Sequence, residues 1–295
     1  SLRGRTVSEE WDFKASHSET EQFAACERRH YYSYGVGITG IKVSDPLAIG
    51  NSGHAGLGAY YSALQSGCTV DQAEDAMLIA ARAELGNYWT FTDQETLWQK
   101  IGMLLGFYVE QYEHEEMKII EVEILDTYHI TQEFAMPMKL DLIAEMDHYG
   151  VTLIDHKFCN DFYSVDKADL SPQLPRYLAV CEARGIKIDT IMYNQIRYRN
   201  TKDNLANPSE RFERTPVPLT AAKVVRTMRE QIQIAKRISH LRTLDIVEWE
   251  GSVVRNSLHC QMCPFTQVCD SDLNGGQDTD LIIEAYYEPR KRPTK

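Results

Sequence analysis

The stretch MKLDLIAEMDHYGVTLIDHKF, Met138 to Phe158, sets two short apolar runs either side of Asp147-His148-Tyr149-Gly150. A polar, glycine-bearing break of that length between strand-like runs predicts an antiparallel hairpin. With the turn centred near His148, residues whose numbers sum to about 296 face each other, as Asp141 and Asp155 do. Directly opposed strand residues bring their Cβ atoms to about 5 Å. Two carboxylates that close, flanked by Leu140, Leu142, Leu153 and Ile154, repel unless a cation lies between them. Hard oxygen donors suit magnesium or manganese. Lys157 follows Asp155 by two, so strand periodicity puts both on one face, where an ammonium can stabilise charge on a phosphate or orient a water. His156 points the other way, with its backbone carbonyl left near the metal. Asp-x-Lys by itself reads as well as the charged side of a surface hairpin; the opposed Asp141 supplies the other half of a metal site.

Working outward, a capping box from Ser18 to Glu21 predicts a helix through Cys26 to about Tyr34, closed by Gly35. Residues 48–66 are apolar and small, with Gly67 as a stop, and carry GNSGH, Gly50 to His54, where small residues permit close backbone approach and present an imidazole. Helices are expected from Asp71 to Leu85 and, after a capping box at Thr92 and Glu95, to about Glu116. Strands are expected at Lys118–Leu125, Met138–Met146, Val151–Phe158 and Thr190–Arg199. A helix from Pro172 to Arg184, capped by Ser171 and stopped by Gly185, carries Gln173 and Tyr177 on one face. A last helix spans about Thr220 to Leu241, followed by a cysteine-rich segment and a polar tail. This order predicts a single α/β (α+β) domain over 1–295: a helical part at about 18–116, a catalytic sheet core at about 118–200, a helix with cysteines at about 220–270, and a tail at 271–295.

Hydrophobic residues make up 43% and charged residues 25% of the 295, a composition of folded rather than disordered chains. No apolar run reaches the roughly 18 residues a membrane helix needs, and no signal peptide opens the chain, so it reads as soluble and intracellular, cytoplasmic in a prokaryotic or phage setting. The net charge of −12 argues against non-specific nucleic-acid binding by the whole surface. A metal ion reverses the sign of a carboxylate-rich site, so the objection is limited. No phosphate-binding GxxxxGK[ST] loop occurs, so any unwinding would need a partner.

Seven cysteines in a chain of this size do not read as a disulfide framework. Cys68, Cys159 and Cys181 read as buried thiols. Cys260, Cys263 and Cys269 follow C-x2-C-x5-C, and Cys26 is the best fourth ligand, closing a loop of more than 230 residues. Four thiolates suit zinc or an iron–sulfur cluster, and the spacing leaves both open. Basic residues on the last helix (Arg226, Arg229, Lys236, Arg237) and in IRYRNTK, Ile196 to Lys202, read either as DNA contacts or as solvated surface. Glu123 reads either as an acid behind the metal site or as a solvent-facing strand residue.

Taken in order, His54, Asp141, Asp155-x-Lys157 and Gln173-x3-Tyr177 resemble the RecB-type branch of the PD-(D/E)XK nucleases over about Cys26 to Cys269. The cysteines resemble its iron–sulfur members: AddB-type nuclease domains, CRISPR-adaptation exonucleases, and phage and eukaryotic single-strand exonucleases. The resemblance implies a restriction-endonuclease-like mixed sheet flanked by helices, with an iron–sulfur-stapled helical cap. It implies that His54, Asp141, Asp155 and the main-chain carbonyl of His156 hold Mg2+ or Mn2+, that Lys157 is catalytic, and that Gln173 and Tyr177 support the site and contact DNA. It implies a [4Fe-4S] cluster on Cys26, Cys260, Cys263 and Cys269. Expected partners are DNA, single-stranded or at its ends, and a helicase or other recombination or CRISPR proteins. The expected activity is a DNA exonuclease in recombination, repair, phage DNA processing or CRISPR adaptation. The competing class is a non-catalytic DNA-binding or assembly subunit that keeps the fold and the cluster; the intact His54, Asp141, Asp155 and Lys157 set argues against it.

Overall fold

The structure, a computed structural model, describes residues 13–129, 134–164 and 171–290. In chain order it runs β1 (Phe13–Lys14), α1 (His17–Ala25), α2 (Glu27–His30), a π-helical turn (Tyr31–Val36), β2 (Ile38–Gly40), α3 (Asp45–Gln65), α4 (Val70–Leu85) and α5 (Gln94–Tyr112). Then come β3 (Met117–His129), β4 (Phe134–Met146), β5 (Gly150–Cys159), α6 (Gln173–Ala183), β6 (Thr190–Arg197), α7 (Lys202–Ala206), β7 (Phe212–Pro216) and α8 (Ala221–Arg242). The chain closes with α9 (Ile246–Ser252), α10 (Thr266–Leu273), α11 (Thr279–Tyr286) and β8 (Tyr287–Pro289).

The sheet is mixed and flanked by helices, in the order β1-β4-β5-β6-β7, with β3 on the other edge of β4. The hairpin register is the expected one: Leu142 pairs with Ile154, Ala144 with Thr152 and Met146 with Gly150. His148, in the three-residue turn, and Gly150, the first residue of β5, take positive φ (68° and 66°). β5 then pairs in parallel with β6 through the α6 crossover, as parallel neighbours require.

Each face of the sheet carries its own core. Met138, Leu140, Ile143 and Leu153 pack with Leu174, Tyr177 and α8 on one side. Leu142, Ala144 and Ile154 pack with α3, α4 and α5 on the other. Leu140 and Leu142 are two apart yet on opposite faces, so the side-chain alternation of β4 slips at Asp141. Across the strand pair, Glu123 takes φ 52° between the pairs Val122–Leu142 and Ile124–Leu140.

α6 is held from behind. Arg176, fully buried, donates to Thr20 Oγ1 at 2.6 Å, to His17 Nδ1 at 2.8 Å and to Gln231 Oε1, tying α6 to α1 and α8. His17 must stay neutral to accept that bond, and burial, then the charge of Arg176, pushes its pKa down to about 3.

Several expectations are corrected. The first helix stops at Ala25, because Cys26 is extended (φ −166°, ψ 115°), and Ser16 rather than Ser18 is its cap; Gly37, not Gly35, closes the following turn in the left-handed region. Asp93, not Thr92, caps α5, since Thr92 is bonded to Asp45 instead. Cys68 is exposed, whereas Cys159 and Cys181 are buried. The stretch read as a tail from 271 is folded as far as residue 290: α11 leads into β8, which pairs antiparallel with β2 and buries Tyr287. Residues 291–295 of the basic end lie outside the described residues. No described helix is long and apolar enough to cross a membrane.

Two outcomes are expected. A Cβ on Gly150 would meet Asp189 Oδ2 at 2.7 Å on a left-handed backbone, so Gly150→Ala loses about 1–3 kcal/mol in urea unfolding. Because the folded pKa of His17 lies below its ordinary 6.5, its contribution is complete above pH 6.5 and is lost as pH falls towards 3. His17→Asn keeps an acceptor for Arg176 but cannot charge, so its melting temperature falls less than wild type between pH 6.5 and 4.

Candidate metal and phosphate site

The β4–β5 ladder ends at Leu142–Ile154, one step short of Asp141 and Asp155. Beyond that step the backbone N–H of His156 donates to Asp141 Oδ2 at 2.8 Å. Both carboxylates are nearly sealed from solvent (6% and 1% exposed). His54, on α3, sets its Nδ1 3.2 Å from Asp141 Oδ1. Lys157 Nζ lies 2.7 Å from Asp155 Oδ2, outside hydrogen-bond angles, and leaves that buried oxygen without a hydrogen bond. His54 and Lys157 form the rim, with side chains 29% and 23% exposed.

Gln173, in the first turn of α6, links the parts. Its Oε1 accepts from Lys157 Nζ at 2.7 Å, which fixes the amide orientation. Its Nε2 donates to Asp155 Oδ1 at 3.2 Å and to Tyr177 OH at 2.5 Å. The helical spacing of four therefore places both residues at the carboxylates, with Tyr177 behind Gln173. Pro175, early in α6, is tolerated there.

The two acids sit in opposite electrostatic states. Burial favours protonation of both. At Asp141 the charge and hydrogen bond of His54, and then His156, outweigh burial and hold the carboxyl well below the usual range. At Asp155 burial prevails over Lys157, Asp141 adds to it, and the pKa is raised. Burial opposes the charged forms of His54 and Lys157, but Asp141 and Asp155 respectively more than offset it, so both pKa values rise.

His156 turns its ring to the face of β5 opposite Asp155 and Lys157. The ring is buried on the opposite face, stacked on Tyr61 (5.7 Å, 8°), with Nδ1 accepting from Asn194 Nδ2 at 2.8 Å. Its ring centre lies 6.2 Å from that of His54.

Within GNSGH the close approach occurs at Gly53, where a Cβ would lie 2.0 Å from the Phe158 ring; at Gly50 nothing lies within 4 Å. Gly58, one turn after His54, makes room for Glu123, which pairs with Lys139 and keeps a buried Oε1 without a hydrogen bond. Tyr193 was not foreseen: it is the register partner of Asp155, and Lys157 Nζ lies 5.3 Å from its ring centre. Only the parallel β5–β6 pairing reveals it. Several residues of the basic segments have partners within the protein. Tyr198 is buried, Arg197 stacks on Phe162, Arg199 pairs with Asp161, and Arg237 pairs with Glu27.

The donor set suits a hard divalent cation: two carboxylates, one imidazole, and a buried carboxylate oxygen lacking a hydrogen bond. As they stand these donors are spent on each other, and among the described residues no three His, Cys, Asp or Glu side chains converge on a common point.

The family model described as the PD-(D/E)XK nuclease superfamily matches residues 14–270. The chain belongs to the PD-(D/E)XK nuclease superfamily. No curated protein matches it in sequence. The crystal structure of SSO0001 is 16% identical, covering 90% of this chain and 89% of its own, at a TM-score of 0.37, a likeness too loose to bear on fold or function. Members of this superfamily are nucleases that typically use divalent metals such as Mg2+.

Gln173→Ala removes the amide that joins Lys157 to Asp155. It should lower kcat by about 10- to 100-fold with KM changed far less, in initial-rate measurements on labelled DNA.

Proposed function

We propose that the protein is a divalent-metal-dependent DNA exonuclease, and the observation that carries this is the Asp141–Asp155–Lys157–Gln173 constellation at the end of the β4–β5 ladder. His54, Asp141, Asp155 and the main-chain carbonyl of His156 would hold the ion, whose chemistry is to activate water and neutralise phosphate charge. Asp141, already ionised, and Asp155, its charge opposed by burial, gain from a cation between them. Lys157 stabilises the charge that develops on the scissile phosphate, and Gln173 holds its ammonium in place. Tyr177 keeps Gln173 oriented. The preference for DNA ends follows the resemblance to RecB-type iron–sulfur exonucleases, which also suggests a helicase or other recombination or CRISPR proteins as partners.

The same reading assigns a [4Fe-4S] cluster to Cys26, Cys260, Cys263 and Cys269. In its support, the extended Cys26 turns Sγ to the backbone N–H of Asn256 at 3.5 Å, and Cys260 Sγ donates to the carbonyl of the same residue at 3.8 Å. Burial pushes the Cys263 and Cys269 thiols up, and Cys26 is near enough to add to both. Arg29 and Arg28 lie beside Cys263 and Cys269 and oppose that rise without reversing it.

End-labelled single- and double-stranded DNA should be shortened progressively by wild type with Mg2+ or Mn2+. Lys157→Ala should be slower by about 100- to 1,000-fold and Asp155→Ala inactive. Equal failure of wild type and Asp155→Ala to cut, with both metals, favours the non-catalytic subunit. Anaerobically purified protein should be brown, with about four iron atoms per chain by elemental analysis; zinc without iron assigns the cysteines to zinc.

A further inference from the structure

The loop between α4 and α5 presents two large aromatic rings to solvent. Trp89 is 63% exposed and Phe91 68%, while Thr90 between them is buried. An extended backbone explains the alternation: Val43 bridges Thr90 in parallel, and Val43 N donates to Trp89 O at 2.8 Å. Thr90 Oγ1 donates to Thr92 O at 2.6 Å, and Thr92 is bonded to Asp45 at the start of α3. The rings are thus held outward by a pinned loop. Lys42 lies between them, its Nζ 5.2 Å from each ring centre, so the rings are separated by at most twice that distance. Among the described residues no carboxylate pairs with Lys42.

Asp45 and Thr92 also line a cleft of about 550 Å³ with Pro46, Ile49, Lys100 and Tyr198. Lys100 Nζ stands 5.0 Å from the Tyr198 ring centre. Asp45 and His54 lie on the same helix, nine residues apart, which is about 14 Å of helix rise, or about four stacked nucleotides. Rings that can take bases and ammonium groups that, among the described residues, are in no ion pair match the alternation of bases and phosphates along a single strand.

We infer that Trp89, Phe91 and Lys42 form a stacking platform for single-stranded DNA, set at the Asp45 end of the helix that carries His54. The inference rests on the nuclease reading and adds to it a binding site outside the carboxylate centre. A protein partner or a second copy of this chain is the competing occupant of two exposed aromatic rings.

The test uses the full chain carrying Asp155→Ala, in calcium buffer, with fluorescein-labelled oligothymidine and a blunt duplex of equal length. Fluorescence anisotropy should show Trp89→Ala/Phe91→Ala weakening the single strand by about tenfold or more, with the duplex weakened less than threefold. Trp89→Phe, which keeps a ring, should bind the single strand within threefold of the parent. Both variants change exposed side chains, and unaltered melting curves will show that they fold. Equal single-strand affinity in parent and double variant overturns the platform, as does a parent that binds no single strand. A dimeric parent made monomeric by the double variant in analytical ultracentrifugation, with affinity unchanged, assigns the rings to self-association and also overturns it. The nuclease reading is tested separately on the chain with Asp155 intact: if that protein cuts DNA while the platform arm fails, only the platform is lost.

Discussion

Two carboxylates from neighbouring strands are buried within one sheet, and the surroundings must answer their mutual repulsion. They do so unequally. Asp141 gathers the His54 imidazole and a backbone N–H and is held ionised. Asp155 receives an ammonium contact and one amide bond, and burial still raises its pKa. Each compensation reaches back into the fold. His54 requires α3 to cross the sheet closely, which Gly53 permits against Phe158. Lys157 and Asp155 together require Gln173, hence the first turn of α6 at that point. α6 is positioned in turn by Arg176, a fully buried cation bonded to α1 and α8. A core that served stability alone would avoid so many desolvated charges, since apolar residues of similar volume often do as well.

The backbone concedes as much as the side chains. The ladder between β4 and β5 stops where the carboxylates begin, and the N–H of His156 turns to a side chain. On the other edge of β4, Glu123 adopts a left-handed conformation opposite Asp141, a state that costs an ordinary residue about 1–3 kcal/mol. Alternation slips at the same place, so Asp141 is released from the regular pleat. Two cores, one on each face, supply the packing that holds this distortion. The local rule fails at the site and holds on both sides of it, as at a place shaped by chemistry rather than by folding alone.

How much of this was legible follows from distance along the chain. The hairpin register, the hydrophobic helix faces and the Gln173–Tyr177 pair depend on residues a few positions apart, and these were readable. Asp155-x-Lys157 also placed both groups on one face, but the broken ladder beside them was not visible, because it arises from β3, β5 and α3 together. Tyr193 depends on a parallel pairing across a crossover, and its run of sequence carries no mark of it. Cys26 read as mid-helix because propensity says nothing of a residue turned to meet Asn256, 230 positions away. The chain beyond residue 270 read as a tail although it carries LIIEAYY, Leu281 to Tyr287, because the short strand there pairs with β2, far earlier in the chain.

The net charge of −12 and an anionic substrate are reconciled by range. At physiological ionic strength charges are screened over about 8 Å, so the groups that meet a phosphate are those within one such length of it. At the rim these are His54 and Lys157, each with its pKa raised by the acid beneath it. The carboxylates below would repel a phosphate, yet both are buried, and a cation held between them would turn that repulsion into attraction. A surface that is acidic elsewhere then weakens unspecific adsorption without weakening the site, because it lies beyond the screening length.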